Sequence, residues 1–186
     1  MRHTLRLWHL VLAIALIVPG SAVGVLAQSS DSSAAGNVVS PQVGDTVSYI
    51  SESGCPLATL TCTNVIVGWD EFDSYYAPAK GMMYVAVVVD VANLGTRGSL
   101  SIRADDFRLQ DVDGFFYSRS WADGKDNATY APTEGEVSVG AGSTESVVLV
   151  YEVLDGVQMD RLCWMPDFDR MLTIADLSTI DPVPAS

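Results

Sequence analysis

Between Met82 and Asn93 the side chains alternate, with Met83, Val85, Val87, Val89 and Val91 on one face and Tyr84, Ala86, Val88, Asp90 and Ala92 on the other. A period of two with one uniformly apolar and one mixed face predicts a strand of an antiparallel sheet, packed on a core through its odd positions. Thr144 to Leu154 repeats the pattern, with Val147, Leu149, Tyr151 and Val153 inward and Glu145 on the same parity at the outer end. Shorter runs predict strands at Thr46 to Ser51 and Thr59 to Val67, and two more close the chain near Arg161 to Met165 and Met171 to Ala175. Leu100 and Ile102 are even whereas Phe107 and Leu109 are odd, so a bulge or short corner is expected across Ala104 to Asp106. Phe107 to Asp111 and Phe115 to Trp121 flank Val112-Asp113-Gly114, a hairpin turn signal. No stretch has a convincing helical period and no internal repeat is visible. The fold class is therefore all-β, with about eight or nine strands in an antiparallel β-sandwich and a closed barrel as the alternative.

The N-terminal stretch breaks this pattern. Arg2 and Arg6 precede an apolar run from Leu7 to Val18, followed by Pro19, Gly20 and small residues as far as Ala27. This is the order of a secretory signal, and its apolar run of about a dozen residues falls short of the roughly 20 that cross a bilayer as a helix. Cleavage is expected after Ala27, which makes residues 1–27 a signal peptide; the next residue is Gln28, so no cysteine is offered for lipid attachment. Residues 28–42 are Ser-rich with a late Pro41, the composition of a flexible linker, and the folded domain is expected over 43–182.

Charge narrows the partners. The 186 residues carry 10 Lys plus Arg against 23 Asp plus Glu, a formal −13. Loss of the signal removes Arg2 and Arg6 but no acid, leaving eight basic against 23 acidic side chains, a formal −15. Such a surface argues against nucleic acid or anionic lipid as a partner, and the lack of a second apolar stretch long enough to span a bilayer argues against stable membrane insertion after cleavage. Both histidines, His3 and His9, leave with the signal, so the mature chain has no imidazole for a triad, a metal site or a proton shuttle.

The run Gly81-Met82-Met83-Tyr84-Val85-Ala86-Val87-Val88-Val89-Asp90-Val91-Ala92-Asn93-Leu94-Gly95, followed by Phe107-Arg108-Leu109-Gln110-Asp111-Val112-Asp113-Gly114-Phe115-Phe116-Tyr117, resembles a family of secreted bacterial domains of unknown function. That family includes relatives of the mycobacterial immunoprotective extracellular antigen. Gly140-Ala141-Gly142-Ser143 and the following Val147 to Val153 look like the family's Gly-containing turn and strand, so the resemblance extends over roughly Val43 to Leu177. It implies an exported immunoglobulin-like β-sandwich and supplies no catalytic residues. Cys55-Pro56 and Cys163 lie outside the shared pattern.

Three cysteines in an oxidising compartment suggest one bridge and one free thiol. Cys55 and Cys62, seven positions apart, span about 23 Å when extended, far beyond the roughly 7 Å that a disulfide tolerates, and pair only if the chain turns between them. Gly54-Cys55-Pro56 sits too early for a symmetrical hairpin, so the expected disulfide is Cys55 with Cys163, leaving Cys62 buried on the face of Leu60 and Ile66. Asp111, Asp113 and Gly114 have the opening of a calcium loop, but Phe115 and Tyr117 occupy the next ligand positions and Ala122 stands where the closing acid belongs. An EF-hand is excluded; a looser site borrowing Asp105, Asp106 or Asp123 is a weaker alternative to a solvated turn, so no metal or other cofactor is assigned. Asp105-Asp106 and Glu134-Glu136 are the carboxylate pairs a glycosidase needs, at a density of acids that makes chance pairs expected. No Gly-x-Ser-x-Gly elbow is present, and Lys80 and Lys125, the only lysines, lack a Ser-x-x-Lys spacing.

Two loops mix aromatic rings with charge. The first contains Trp69, Phe72, Asp73, Tyr75 and Tyr76 ahead of the strongest strand, and the second runs from Trp121 to Pro132 with Lys125 and Tyr130. Flat rings supply contact area and charged groups supply direction, so these residues are the candidate contact surface for a protein or a surface glycan. Asn127-Ala128-Thr129 in the second loop fits the glycosylation acceptor pattern. The leading expectation is a non-enzymatic interaction module, secreted or attached to the cell surface. The alternatives are a carbohydrate-binding or carboxylate-dependent hydrolase domain, separated from the first by whether acids converge in a cleft, and a calcium-stabilised structural domain.

Overall fold

The computed structural model describes residues 40–167 and 169–181; the signal peptide and the linker before residue 40 lie outside the described residues. The strands are β1 (Thr46–Ile50), β2 (Pro56–Val67), β3 (Met82–Asn93), β4 (Ser99–Arg103), β5 (Phe107–Asp111), β6 (Phe116–Ser118), β7 (Glu136–Gly140), β8 (Thr144–Leu154), β9 (Met159–Asp167) and β10 (Arg170–Asp176). They form two four-stranded sheets, β1-β2-β3-β8 and β10-β9-β5-β6, and a two-stranded ribbon, β4-β7. Every strand pairing is antiparallel. The fold is an antiparallel β-sandwich.

β3 sits in the middle of its sheet because it has the strongest alternation. Its odd residues meet Tyr151, Leu149 and Val147 of β8 across Val85, Val87 and Val89, so the two strands present one continuous apolar face. That face packs on Phe107, Leu109, Leu162 and Trp164 of the opposite sheet and on Ile102 and Val139 of the ribbon, all buried in one cluster. Burying a side chain of this size stabilises by about 1.5–3 kcal/mol before entropy, so these residues dominate the driving force for the fold.

The parity switch after Ile102 is a corner. Ala104–Asp106 form a 3-10 turn, and the chain leaves the ribbon at β4 to enter the second sheet at β5. The tenth strand, β7, is one that the sequence pattern left unassigned: Val137 and Val139, set among Glu, Ser and Gly, face Ile102 and Leu100 of β4. Asn93 locks this ribbon to β3, its Nδ2 donating to the Val139 carbonyl at 2.9 Å while its Oδ1 accepts from Gly95 N at 2.8 Å.

Two expectations change. Thr63 is an extra residue in β2, since Cys62 faces Val89 while Asn64 faces Val88. The bulge reverses parity, so Cys62 shares the core with Leu60, Val65 and Val67, whereas Ile66 turns to the opposite face. The expected bridge between Cys55 and Cys163 is absent, and all three thiols are free. Cys55 lies in the exposed β1–β2 turn of one sheet, where its N–H donates to Ser51 Oγ at 3.0 Å. Cys163 is buried in the other sheet, between Arg108 of β5 and Thr173 of β10. Burial pushes the Cys62 thiol up to about 12 and raises that of Cys163, so neither is a ready nucleophile.

Candidate functional site

Both aromatic loops lie against the outer face of the β1-β2-β3-β8 sheet. After β2, Gly68 takes a positive φ of 72°, and the N–H groups of Gly68 and Trp69 both donate to the Tyr84 carbonyl at 3.0 Å, folding the chain back over β3. After β6 the chain crosses to the edge of β8, where Arg119 pairs with Tyr151 and Ser120 N donates to the Val150 carbonyl at 2.7 Å. The even residues of β3 and β8 thus acquire a cover: Trp69, Tyr84, Ala86, Ala122 and Val150 are buried together, with Ile66, Phe72, Tyr76 and Tyr130 packed around them. Ring centroids lie 5.4 Å apart for Phe72 and Tyr84 and 6.0 Å apart for Trp69 and Tyr84, both edge-on. Such pairs contribute about 0.5–1.5 kcal/mol each beyond their buried area.

The loops are also joined to each other. Asp73 N donates to the Asp123 carbonyl at 2.9 Å and Lys125 N to the Glu71 carbonyl at 2.8 Å, and between them Phe72 and Gly124 form an antiparallel bridge. Gly124 is needed for this approach, because a Cβ there would meet Ala128 Cβ at 3.2 Å and Pro132 Cδ at 3.3 Å. Glu71 Oε2 accepts from Tyr130 N at 2.9 Å, and that bond holds the Glu71 carboxyl below its ordinary value. Tyr130 Oη accepts from Asn64 Nδ2 at 3.0 Å, and Tyr84 Oη donates to the Tyr76 carbonyl at 2.6 Å.

The eight candidate contact residues therefore divide. Trp69, Phe72, Tyr76 and Tyr130 belong to the packed cap. Asp73 caps the 3-10 turn Ser74–Tyr76 by accepting from Tyr75 N at 2.9 Å, and Lys125 Nζ donates to the Asp70 carbonyl at 3.2 Å. Tyr75 and Trp121 stand clear, 86% and 76% exposed. Each is two residues from the hydrogen bond that joins Asp73 to Asp123, so both rings rise from the same seam.

Sequence reasoning passed over Arg119. Its side chain is buried, its Nε donates to Asp105 Oδ1 at 3.0 Å, and its guanidinium carbon sits 4.6 Å from the centre of the Trp121 ring. A cation stacked on an exposed indole fixes that ring against rotation and leaves its other side to solvent. Nothing in the sequence around Ser118-Arg119-Ser120 distinguishes this arginine from an ordinary surface one.

The remaining candidates are placed elsewhere. Asp111 points inward, its two oxygens accepting from Phe115 N at 2.8 Å and from Tyr117 Oη at 3.1 Å, so its carboxylate is engaged by its own hairpin. Among the described residues no three acidic, Cys or His side chains converge in a metal-ligating group. Asn127, in the acceptor motif, is exposed with φ of 68°.

No family model and no curated protein matches the chain. Among solved structures it is similar to the secreted protein MPT63 of Mycobacterium tuberculosis, at 13% identity and a TM-score of 0.53, over 73% of this chain and 94% of that one. It is similar also to the yjhA protein of Bacillus subtilis, at 13% identity and a TM-score of 0.52, over 74% of this chain and 98% of that one. At these identities the likeness establishes the fold, and at that level it agrees with the resemblance read from Gly81–Gly95 and Phe107–Tyr117.

Proposed function

We propose that this chain is an exported, non-enzymatic binding module that grips a protein or a surface glycan through Tyr75 and Trp121. The observation that carries the reading is the loop cap: its other aromatic residues are packed or bonded in place, and these two rings alone are left largely in solvent beside its seam. Trp121 is stacked on Arg119 and Tyr75 lies edge-on to Tyr76 with ring centroids 5.2 Å apart; a ring with such a neighbour loses less entropy on binding, as suits a contact hot spot. Export is supported by the signal pattern of residues 1–27 and by the secreted status of MPT63. A carboxylate hydrolase is less well supported. Asp105, Asp106 and Asp167 do line one cavity, but Asp105 is paired with Arg119 and Asp167 with Arg170, leaving one disengaged carboxylate where two are required.

The test is a crosslinked pull-down of the protein from the envelope and secreted fractions of the producing cell. A partner recovered by the parent and lost from the Tyr75→Ser, Trp121→Ser double variant is the expected result. Undiminished recovery by that variant, with its melting temperature preserved, overturns the assignment.

A further inference from the structure

A cavity of about 380 Å³ opens where the β4–β5 corner meets the end of β9. Arg103, Asp106 and Arg108 line one side and Met165 and Pro166 the other. Asp105 and Asp167 line it too, engaged by Arg119 and Arg170.

Three charges line this cavity without closing an ion pair, Asp106 and Arg108 half-buried and Arg103 exposed. Arg108 Nη1 donates to the carbonyls of Asp105 and Phe107 at 2.5 and 2.7 Å, which fixes the guanidinium without neutralising it. The Arg103 guanidinium and the Asp106 carboxylate make no hydrogen bond to a described residue, and neither arginine closes an ion pair with Asp106. Asp106 is half-buried, and that burial raises its carboxyl above the ordinary value; Arg103 and Arg108 pull the other way through space, while Asp105 and Asp167 add to the rise. Opposite charges on freely moving side chains collapse onto one another. Here the bonds to the Asp105 and Phe107 carbonyls hold the Arg108 guanidinium, so a gap remains between it and Asp106, while the exposed Arg103 is left to meet a ligand.

We propose that this cavity binds a small zwitterion, its carboxylate on Arg103 and Arg108, its ammonium on Asp106 and its apolar stem against Met165 and Pro166. This is the chemistry of a free amino acid or of a short unblocked peptide. A bare anion is opposed by Asp106 and by the acidic chain, and a bare cation by the two arginines. A ligand carrying both signs satisfies each group, and guanidinium groups suit the two oxygens of a carboxylate.

Calorimetric titration of the purified protein at low salt, with L-leucine, L-leucyl-L-leucine and N-acetyl-L-leucinamide, tests this. Saturable binding of at least one unblocked compound and none of the blocked one is expected, the tighter of the two telling free amino acid from peptide. Asp106→Asn and Arg103→Ala each weaken binding about tenfold or more, since each removes one charge-assisted contact. Asp106→Asn keeps the shape and relieves a half-buried charge, so the variant folds. The Tyr75→Ser, Trp121→Ser variant binds as the parent does, which keeps this result separate from the fate of the proposed contact surface. No saturation by either zwitterion, equal binding of the blocked compound, or unchanged affinity in Asp106→Asn overturns the proposal.

Discussion

The two faces of β3 are buried by different means. Its odd face meets another sheet, and it lies in a buried cluster that draws residues from all nine other strands, among them Leu60, Phe107, Leu149 and Trp164. Its even face is buried at Tyr84 and Ala86 by two loops whose rings supply the missing wall, whereas Asp90, farther along, stays half-buried and bonds to Ser146 Oγ at 2.6 Å. The odd face is the condition for the sandwich to exist. The even face is covered by an addition, two loops joined at a seam that carries the two exposed rings.

The largest effect that separates them is truncation of a ring on each side. Phe107→Ala removes a fully buried ring stacked 5.9 Å from Trp164, and should cost about 3–5 kcal/mol, lowering the urea midpoint of the whole transition. Trp69→Ala removes a ring of similar burial from the cap. Its cost should be nearer 3 kcal/mol, because loops relax into the space more readily than a sheet does. Hydrogen exchange should show lost protection at Gly68, Asp73 and Lys125 with the β3 amides still protected. Global unfolding by both variants in the same manner would show the cap to be part of one cooperative core. A smaller effect is expected of Gly124→Ala, whose new methyl group must displace Ala128 and Pro132; about 1–3 kcal/mol, confined to the cap and read by the same exchange experiment, is the expected loss.

What the sequence revealed follows the same division. β3, β8, the β5–β6 hairpin and the corner at Ala104–Asp106 were legible because a period of two, its reversal and an Asp-Gly turn are local signals. The bulge at Thr63 was not, since Thr is an ordinary strand residue and only the pairing with Val88 and Val89 shows it to be extra. β7 escaped because its strand character depends on β4 as a partner. The loop aromatics were legible as loop residues, but composition does not tell a ring facing inward, such as Phe72, from one facing outward, such as Tyr75. The zwitterion cavity was beyond reach, as Arg103, Arg108 and Pro166 meet only through the pairing of β5 with β9.

The smallest expected effect comes from pH and isolates the cap from the core. The Glu71 carboxylate accepts from Tyr130 N, and its folded value lies below the ordinary Glu value of about 4.3. A lowered value means that the contribution of this bond is fully present above the ordinary value and is lost as pH falls through the lower one. The cap should therefore loosen at a pH where the sandwich still holds, seen as an early change in tryptophan fluorescence that precedes loss of the far-UV β signal. Glu71→Gln retains an oxygen acceptor but no charge, so the early step should vanish and the cap should be weaker at neutral pH. Coincident loss of both signals in the parent would mean that the odd and even faces of β3 titrate as one unit, and the distinction between them would fail.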